Sequence, residues 1–292
     1  MRPRAVSSAT GGEALPELGF LRARLKGLRR VVVAFSGGAD SALLAWVAND
    51  ELGPEAALAV TAVSASLAGS ELQDCRQLAA EWRLNYREVE TQEVRRPGYV
   101  ANGADRCWYC KDELMQSLVP LAGRASATIV LGVNVDDLSD HRPGQDAARK
   151  AGALFPLVEA GFTKSAVRRT SLALGLRTWD KPAAACLASR VPYGTPVNLS
   201  TLEMVARAEA SLRGLGFRSG LRVRHYGDLA RVELPLEDLA RALGLREEVV
   251  RAVRSAGYRY VTLDLEGLRS GNLNAALASA STLAAPGKEV PA

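Results

Sequence analysis

The chain has 292 residues, 48% of them apolar, enough to bury a core without disulfides. Lys and Arg outnumber Asp and Glu by 37 to 32, and the excess is arginine scattered along predicted helices, which suits anionic small molecules as readily as nucleic acid. No apolar run is long enough to span a membrane, and the start, 1–19, contains Arg and lacks an apolar signal core; the expectation is a cytoplasmic protein with no membrane partner.

In chain order, 1–19 reads as a flexible lead that runs into a basic amphipathic helix, Leu18 to Leu28, with Leu21, Leu25 and Leu28 on one face. A strand from Val31 then enters Ser36-Gly37-Gly38-Ala39-Asp40-Ser41 and a helix from Ser41 to Ala48. Strand, glycine-paired loop and helix start make an anion cradle. The glycines let backbone approach a phosphate, Ser36 and Ser41 add hydroxyl donors, and the helix start adds free N–H groups and a positive dipole end. No lysine stands where a Walker A loop needs one, so kinase-type chemistry is disfavoured. A second strand, Ala57 to Val63, a helix near Glu71 to Trp82, and a strand Tyr86 to Val89 follow. After them come a loop through Pro97-Gly98, a helix from about Cys110 to Leu121 and a strand Ala127 to Gly132. This alternation predicts an α/β fold with a doubly wound parallel sheet and ligands at the carboxyl ends of its strands, where Ser36 and Gly132-Val133-Asn134 fall.

The pattern changes after the Pro/Gly-rich segment 191–196. A helix from Ser200 to Leu215 is expected to be capped by Ser200 with Glu203 in a capping box. Strands Gly220 to His225 and Leu229 to Leu234 join through a tight turn at Tyr226-Gly227-Asp228. Helices Leu236 to Leu243 and Arg246 to Ala256 and a strand Tyr258 to Asp264 complete a smaller α+β unit. The division expected is a nucleotide-binding domain over 20–192, a second domain over 193–266 and a loosely ordered Ala/Ser-rich tail over 267–292.

Cys75, Cys107, Cys110 and Cys186 are too few and too unevenly spaced for a disulfide framework, which favours metal or thiol chemistry. Cys107 and Cys110 form a CxxC pair at a helix start, where the dipole is expected to lower thiol pKa values. Closed zinc coordination wants a fourth ligand, and His141 and His225 are single and far apart. Three thiols suit a 4Fe-4S cluster with one open iron. A redox CxxC remains the alternative for the pair, and Cys75, mid-helix beside Leu72 and Leu78, reads as core or as a further member of the set.

The segments SGGADS (36–41), RCWYCK (106–111), GVNVDDLSDHRPG (132–144) and WDKPAAACLASRVPYGTPV (179–197) together resemble the LarE family, sulfur transferases of the PP-loop ATP pyrophosphatase superfamily. The resemblance spans roughly Val31 to Asp264. It implies that ATP adenylates the carboxylates of pyridinium-3,5-biscarboxylic acid mononucleotide, releasing pyrophosphate. Sulfur then displaces AMP, toward the nickel-pincer nucleotide of lactate racemase. It assigns pyrophosphate to Ser36, Gly37, Gly38, Asp40 and Ser41, and a 4Fe-4S cluster to Cys107, Cys110 and Cys186, with sulfide or another sulfur donor as partner. Some members instead sacrifice the sulfur of the cysteine matching Cys186. Asp40 either holds Mg²⁺ or orients the loop as a helix-start acid. Ser189 and Arg190 are placed to grip phosphate or carboxylate. Arg222 and Arg224 share one strand face, exposed or forming a phosphate site, and the resemblance favours the latter; Glu233 faces the same site or a cation. Asp136, Asp137, Asp140 and Arg142 follow a strand end, for metal binding or turn capping, and Trp108 stacks on the pyridinium ring or packs. Family members form homo-oligomers, commonly hexamers. A tRNA-thiolating PP-loop enzyme is the rival; it would carry an RNA-binding module or a concentrated basic stripe, and neither is present, so no nucleic acid partner is expected.

Overall fold

Valine-rich and alanine-rich runs decide the centre of the fold. In this computed structural model, which describes residues 15–138, 143–182, 185–218 and 220–269, they form, with a more polar strand at one edge, a sheet of four parallel strands. These are β1 (Val31–Ala34), β2 (Ala57–Val63), β3 (Asn85–Glu90) and β4 (Thr128–Leu131), in the order β3-β2-β1-β4. Branched side chains suit a pleat covered on both faces. Val31, Val33, Ala57, Ala59 and Val130 point to one core, whereas Val32, Val60, Ile129 and Leu131 point to the other.

The helices in chain order are α1 (Pro16–Leu28), α2 (Ala39–Leu52), α3 (Gly69–Glu81), the single turn α4 (Pro97–Val100), α5 (Arg106–Ala125), α6 (Pro143–Lys150), the short α7 (Pro156–Glu159) and α8 (Lys164–Ala173). Leu21 and Leu25 of α1, the apolar side of α2, and Cys75 and Leu78 of α3 cover the first face. Met115, Leu118 and Leu121 of α5 and Ala148 of α6 cover the second. The chain runs outward from β1 to β3 and then returns to place β4 on the other side of β1. The resulting crevice at the carboxyl ends of β1 and β4 is where such a sheet receives ligands.

A second sheet holds β5 (Arg222–Tyr226), β6 (Leu229–Glu233) and β7 (Tyr260–Leu263) in that order, β5 antiparallel and β7 parallel to β6. Tyr226 pairs with Leu229, so Gly227-Asp228 makes a two-residue turn, with Gly227 at φ 65°. Helices α9 (Leu199–Gly214), α10 (Leu236–Gly244) and α11 (Arg246–Ser255) accompany this sheet. Ala208, Leu212, Phe217, Val223, Val232 and Val253 fill its core. A smaller cluster, including Tyr99, Leu187, Val191, Val197 and Leu202, packs α4 and the segment after Cys186 against α9.

Several expected boundaries move. Helix α1 begins at Pro16, so the described end of the expected lead is helical; the rest of it, and the tail from 270, lie outside the described residues. Pro97-Gly98 opens a helical turn rather than a loop, because Pro suits a first helical position. Helix α5 starts at Arg106, four residues before the expected Cys110, and carries both cysteines. The cap of α9 is Asn198, whose Oδ1 accepts from Thr201 N at 2.8 Å; Ser200 lies inside the helix and donates to the same oxygen. Residues 143–173 form three helices that the apolar periodicity did not announce. Among the described residues no helix is long and apolar enough to cross a membrane.

At Gly132, directly after β4, a Cβ would stand 2.7 Å from Ser41 N and 2.8 Å from its Cα, both backbone atoms. At Gly38, φ −73°, the nearest atom is Ser36 Oγ at 3.6 Å. Gly132→Ala is expected to lower unfolding free energy by about 1–3 kcal/mol in urea denaturation, while Gly38→Ala stays within about 0.5 kcal/mol of wild type.

Candidate functional site

The cradle loop is held by its own serines. Ser36 N donates to Ser41 Oγ at 3.2 Å, the two hydroxyls stand 3.0 Å apart, and Ser41 Oγ donates to the Gly38 carbonyl at 3.2 Å. Gly37 adopts φ 69°, and a Cβ there would lie 2.9 Å from the Cys75 sulfur. Cys75 is fully buried under the loop, and burial pushes its thiol up to about 11; it is core, held protonated. Asp40 accepts from Asn134 Nδ2 at 2.9 Å. Burial raises its carboxyl above the ordinary value, with the Asn134 hydrogen bond opposing. Lys181 lies beside Gly37 but is bound to Asp74 at 2.6 Å and Glu71 at 2.8 Å.

A cavity of about 340 Å³ opens above the sheet edge. Its lining joins Ser36, Ser41 and Gly132 on one side to Cys110 and Cys186 on the other. Cys186 stands exposed at the N-cap of the 3₁₀ turn Leu187–Arg190. Cys107, one helical turn before Cys110, is exposed and does not line the cavity. The thiol of Cys110 is not lowered by the start of α5 as expected. Burial first, then the negative charge of Glu93, pushes it up to about 12. Among the described residues no three His, Cys, Asp or Glu side chains converge on a point suited to a single metal ion.

Two lining residues went unremarked in the sequence. Lys111 is the one Lys or Arg among the described residues of the lining, and none of the ion pairs there engages it. Glu93 is a buried carboxylate that accepts from Ser66 Oγ at 2.8 Å. The signal available for Lys111 was its place directly after the CxxC pair.

The predicted arginines divide by partner. Arg190 is held by Glu209 at 2.8 Å and donates Nη1 to the carbonyls of Ala185 (2.7 Å) and Cys186 (3.2 Å) and to Ser189 Oγ (3.1 Å), so it shapes the Cys186 segment. Arg224 is held by Glu233 at 2.8 Å and donates to the Ser189 carbonyl at 2.8 Å. Glu233 also accepts from Arg231 at 3.0 Å, which makes it a buried counter-ion between two strands. Arg222 is half-buried with no carboxylate bonded to it among the described residues; burial, then the neighbouring Arg224 and Arg190, lower its pKa. A guanidinium crowded by two others is stabilised by an incoming anion. Asp137 accepts from Asn134 N and Asp136 from Lys164 N, both turn and helix-start roles. Asp140, His141 and Arg142 lie outside the described residues. Trp108 packs edge-on against Tyr109, with Arg96 over its ring.

Comparison with known proteins gives three relatives and one family. The NAD synthase family matches residues 19–99, the portion that holds the cradle. An uncharacterized protein of Synechocystis is 45% identical over 88% of this chain and 99% of its own length. The pyridinium-3,5-bisthiocarboxylic acid mononucleotide synthase of Lactiplantibacillus plantarum is 39% identical over 89% of this chain and 94% of its own. An uncharacterized protein of Methanocaldococcus jannaschii is 24% identical over 83% and 92%.

Because Asp40 carries a raised pKa, the folded chain holds its proton more tightly than the unfolded chain does. Its contribution to stability is therefore lost as pH rises from the ordinary carboxylate value of 3.8 through the raised one. Asp40→Asn should be more stable than wild type near neutral pH, and the gap should close below the ordinary value, as measured by urea denaturation across pH.

Proposed function

The chain belongs to the LarE family, and on that premise we propose that it is an ATP-dependent sulfur transferase. It converts the carboxylates of pyridinium-3,5-biscarboxylic acid mononucleotide to thiocarboxylates for a nickel-pincer nucleotide. The observation that carries this reading is the single cavity whose lining joins the serine-glycine cradle to Cys110 and Cys186. A carboxylate resists substitution because oxide would have to leave. Attack of its oxygen on the α-phosphorus of ATP breaks the bond to the β-phosphate and makes AMP the later leaving group. Pyrophosphate leaves against Ser36, Gly37, Gly38 and Ser41, where N–H and hydroxyl donors and the start of α2 offset its charge. Asp40, fixed by Asn134, orients the loop or holds Mg²⁺. Lys111 supplies the positive charge that the loop lacks. Arg222 receives the mononucleotide phosphate, and Arg190 and Arg224 shape the wall behind it.

Sulfur then attacks the activated carbon and AMP leaves. Cys107, Cys110 and Cys186 would be the thiolate donor set of a three-cysteine 4Fe-4S cluster, which would supply a site for a sulfur atom to be handed on. The second reading, in which Cys186 gives up its own sulfur, is favoured by one feature: Cys186 lines the cavity and Cys107 does not. The same proposal places the nucleotide chemistry in 20–192 and substrate binding with self-association in 193–266, where Leu236, Leu243 and Leu265 stand exposed.

The test is anaerobic reconstitution with iron and sulfide, then incubation with the biscarboxylic mononucleotide, ATP and Mg²⁺. Mass spectrometry should find thiocarboxylate product with AMP and pyrophosphate. Product without iron, accompanied by loss of one sulfur from Cys186, selects the sacrificial reading; no AMP and no product removes the function. Arg222→Gln should raise KM for the mononucleotide about 10-fold or more through the lost charge-assisted contact, with ATP affinity unchanged. Lys111→Met should slow ATP–pyrophosphate exchange about 100-fold, the scale of losing one charge-stabilising group, with the melting temperature retained.

A further inference from the structure

Cys107 and Cys110 belong to α5, whereas Cys186 lies about eighty residues downstream, and a sulfur site built from both needs their separation fixed. The contact that joins the two segments is a pair of buried polar side chains outside the cavity. Asn102, fully buried, lies in the turn between α4 and α5 at φ 55°, a conformation Asn tolerates better than most residues. Its Nδ2 donates to the carbonyls of Pro192 and Thr195, each at 2.8 Å, and its backbone carbonyl accepts from Gly194 N at 3.1 Å. Its Oδ1 accepts from Arg106 Nη1, and that nitrogen also donates to the Ala188 carbonyl at 2.9 Å. Both ends of the amide are thereby used on the segment that follows Cys186 or on the first residue of the CxxC helix.

Arg106 is 5% exposed, and no carboxylate pairs with it among the described residues. A guanidinium is costly to bury, and here that cost is offset through hydrogen bonds to Asn102 and the Ala188 carbonyl, which fixes where both must stand. Its ring partner, Tyr193, is part of the same downstream segment, 5.7 Å away. Next to Cys186 itself, Leu187 N donates to Ser66 O at 2.8 Å, and Arg190 holds the Ala185 and Cys186 carbonyls. The backbone at Cys186 is thus held by Arg190, which reaches back from four residues on, and the segment after it is tied to α5 by Asn102 and Arg106.

We infer that Asn102 and Arg106 form a clasp that sets the separation between the Cys107–Cys110 turn and Cys186, acting as positioning residues for sulfur transfer. The inference rests on the reading that the three thiols work together. Dibromobimane, which becomes fluorescent once both of its arms have alkylated thiols, tests it on the full chain. Wild type should give a crosslink between Cys186 and Cys110 or Cys107, mapped by peptide mass spectrometry. Asn102→Gly keeps the left-handed backbone accessible while deleting the amide. It should lower the crosslink yield at least fivefold while monobromobimane still labels Cys186 within twofold of wild type. Arg106→Lys retains charge but loses the planar fork, and should lower the yield in the same direction should the glycine variant fail to fold. A folded Asn102→Gly or Arg106→Lys that crosslinks like wild type overturns the clasp and leaves the three-thiol reading standing. Absence of any Cys186 crosslink in wild type overturns both.

Discussion

The site depends on one close approach, that of Gly132 to the backbone of Asp40 and Ser41. Without a side chain, the end of β4 lies directly against the first turn of α2. The loop between β1 and α2 is thereby held from the side as well as from its own ends. Asn134, two residues on, continues the contact by donating to Asp40, and Asp137 closes back on Asn134. A cradle of neutral donors stabilises a leaving anion only if those donors need not reorganise as charge develops. Here that rigidity comes from a neighbouring strand, and the sheet order that returns β4 to the side of β1 makes it available.

A second constraint links the two sheets. Glu209 of α9, fully buried, accepts from Arg190, Arg213 and the amide of Val223, so one carboxylate ties the Cys186 segment to a helix and to β5. Glu233 does the same for Arg224 and Arg231, and Arg224 reaches on to the Ser189 carbonyl. Buried ion pairs add little net stability over apolar packing, while removing one partner costs about 3–5 kcal/mol. Their use here is geometric: Arg190 and Arg224 each spend one side on a carboxylate and the other on a backbone carbonyl at or near Cys186. Arg222, on the same strand, has no carboxylate bonded to it among the described residues.

How much of this was legible follows from what each residue needs. Strands β1 and β2 were plain because doubly covered parallel strands read as unbroken apolar runs. The cradle was plain because its spacing is local. The start of α5 was missed because Arg106 is buried, and a buried arginine on a helix reads from sequence as a polar boundary. Helices α6 to α8 were missed because they are only four to ten residues long, and α6 and α8 bury mostly small side chains such as Ala147, Ala148 and Ala166, which do not stand out as an apolar face. The α9 cap went to Ser200 instead of Asn198 because both types cap and only geometry decides between residues two apart. Arg190 and Arg224 looked like anion binders because their carboxylate partners lie 19 and 9 residues away and are invisible to local pattern.

The charge arrangement of the cavity explains why these substitutions of partner matter. Both reactants are anionic, so a cavity lined by many free cations would bind ATP and the carboxylate tightly in the ground state and gain little in the transition state. In the reaction proposed above, the hydroxyl and N–H donors of the cradle act at short range on charge that appears as pyrophosphate leaves. Lys111 adds a single long-range charge on the thiol side, next to Cys110. Glu93 works in the opposite sense: after burial, its negative charge is the next cause that raises the Cys110 thiol. Cys186 lines the same cavity and is exposed, whereas Cys110 is half-buried, so the two sulfurs that share one lining differ in access.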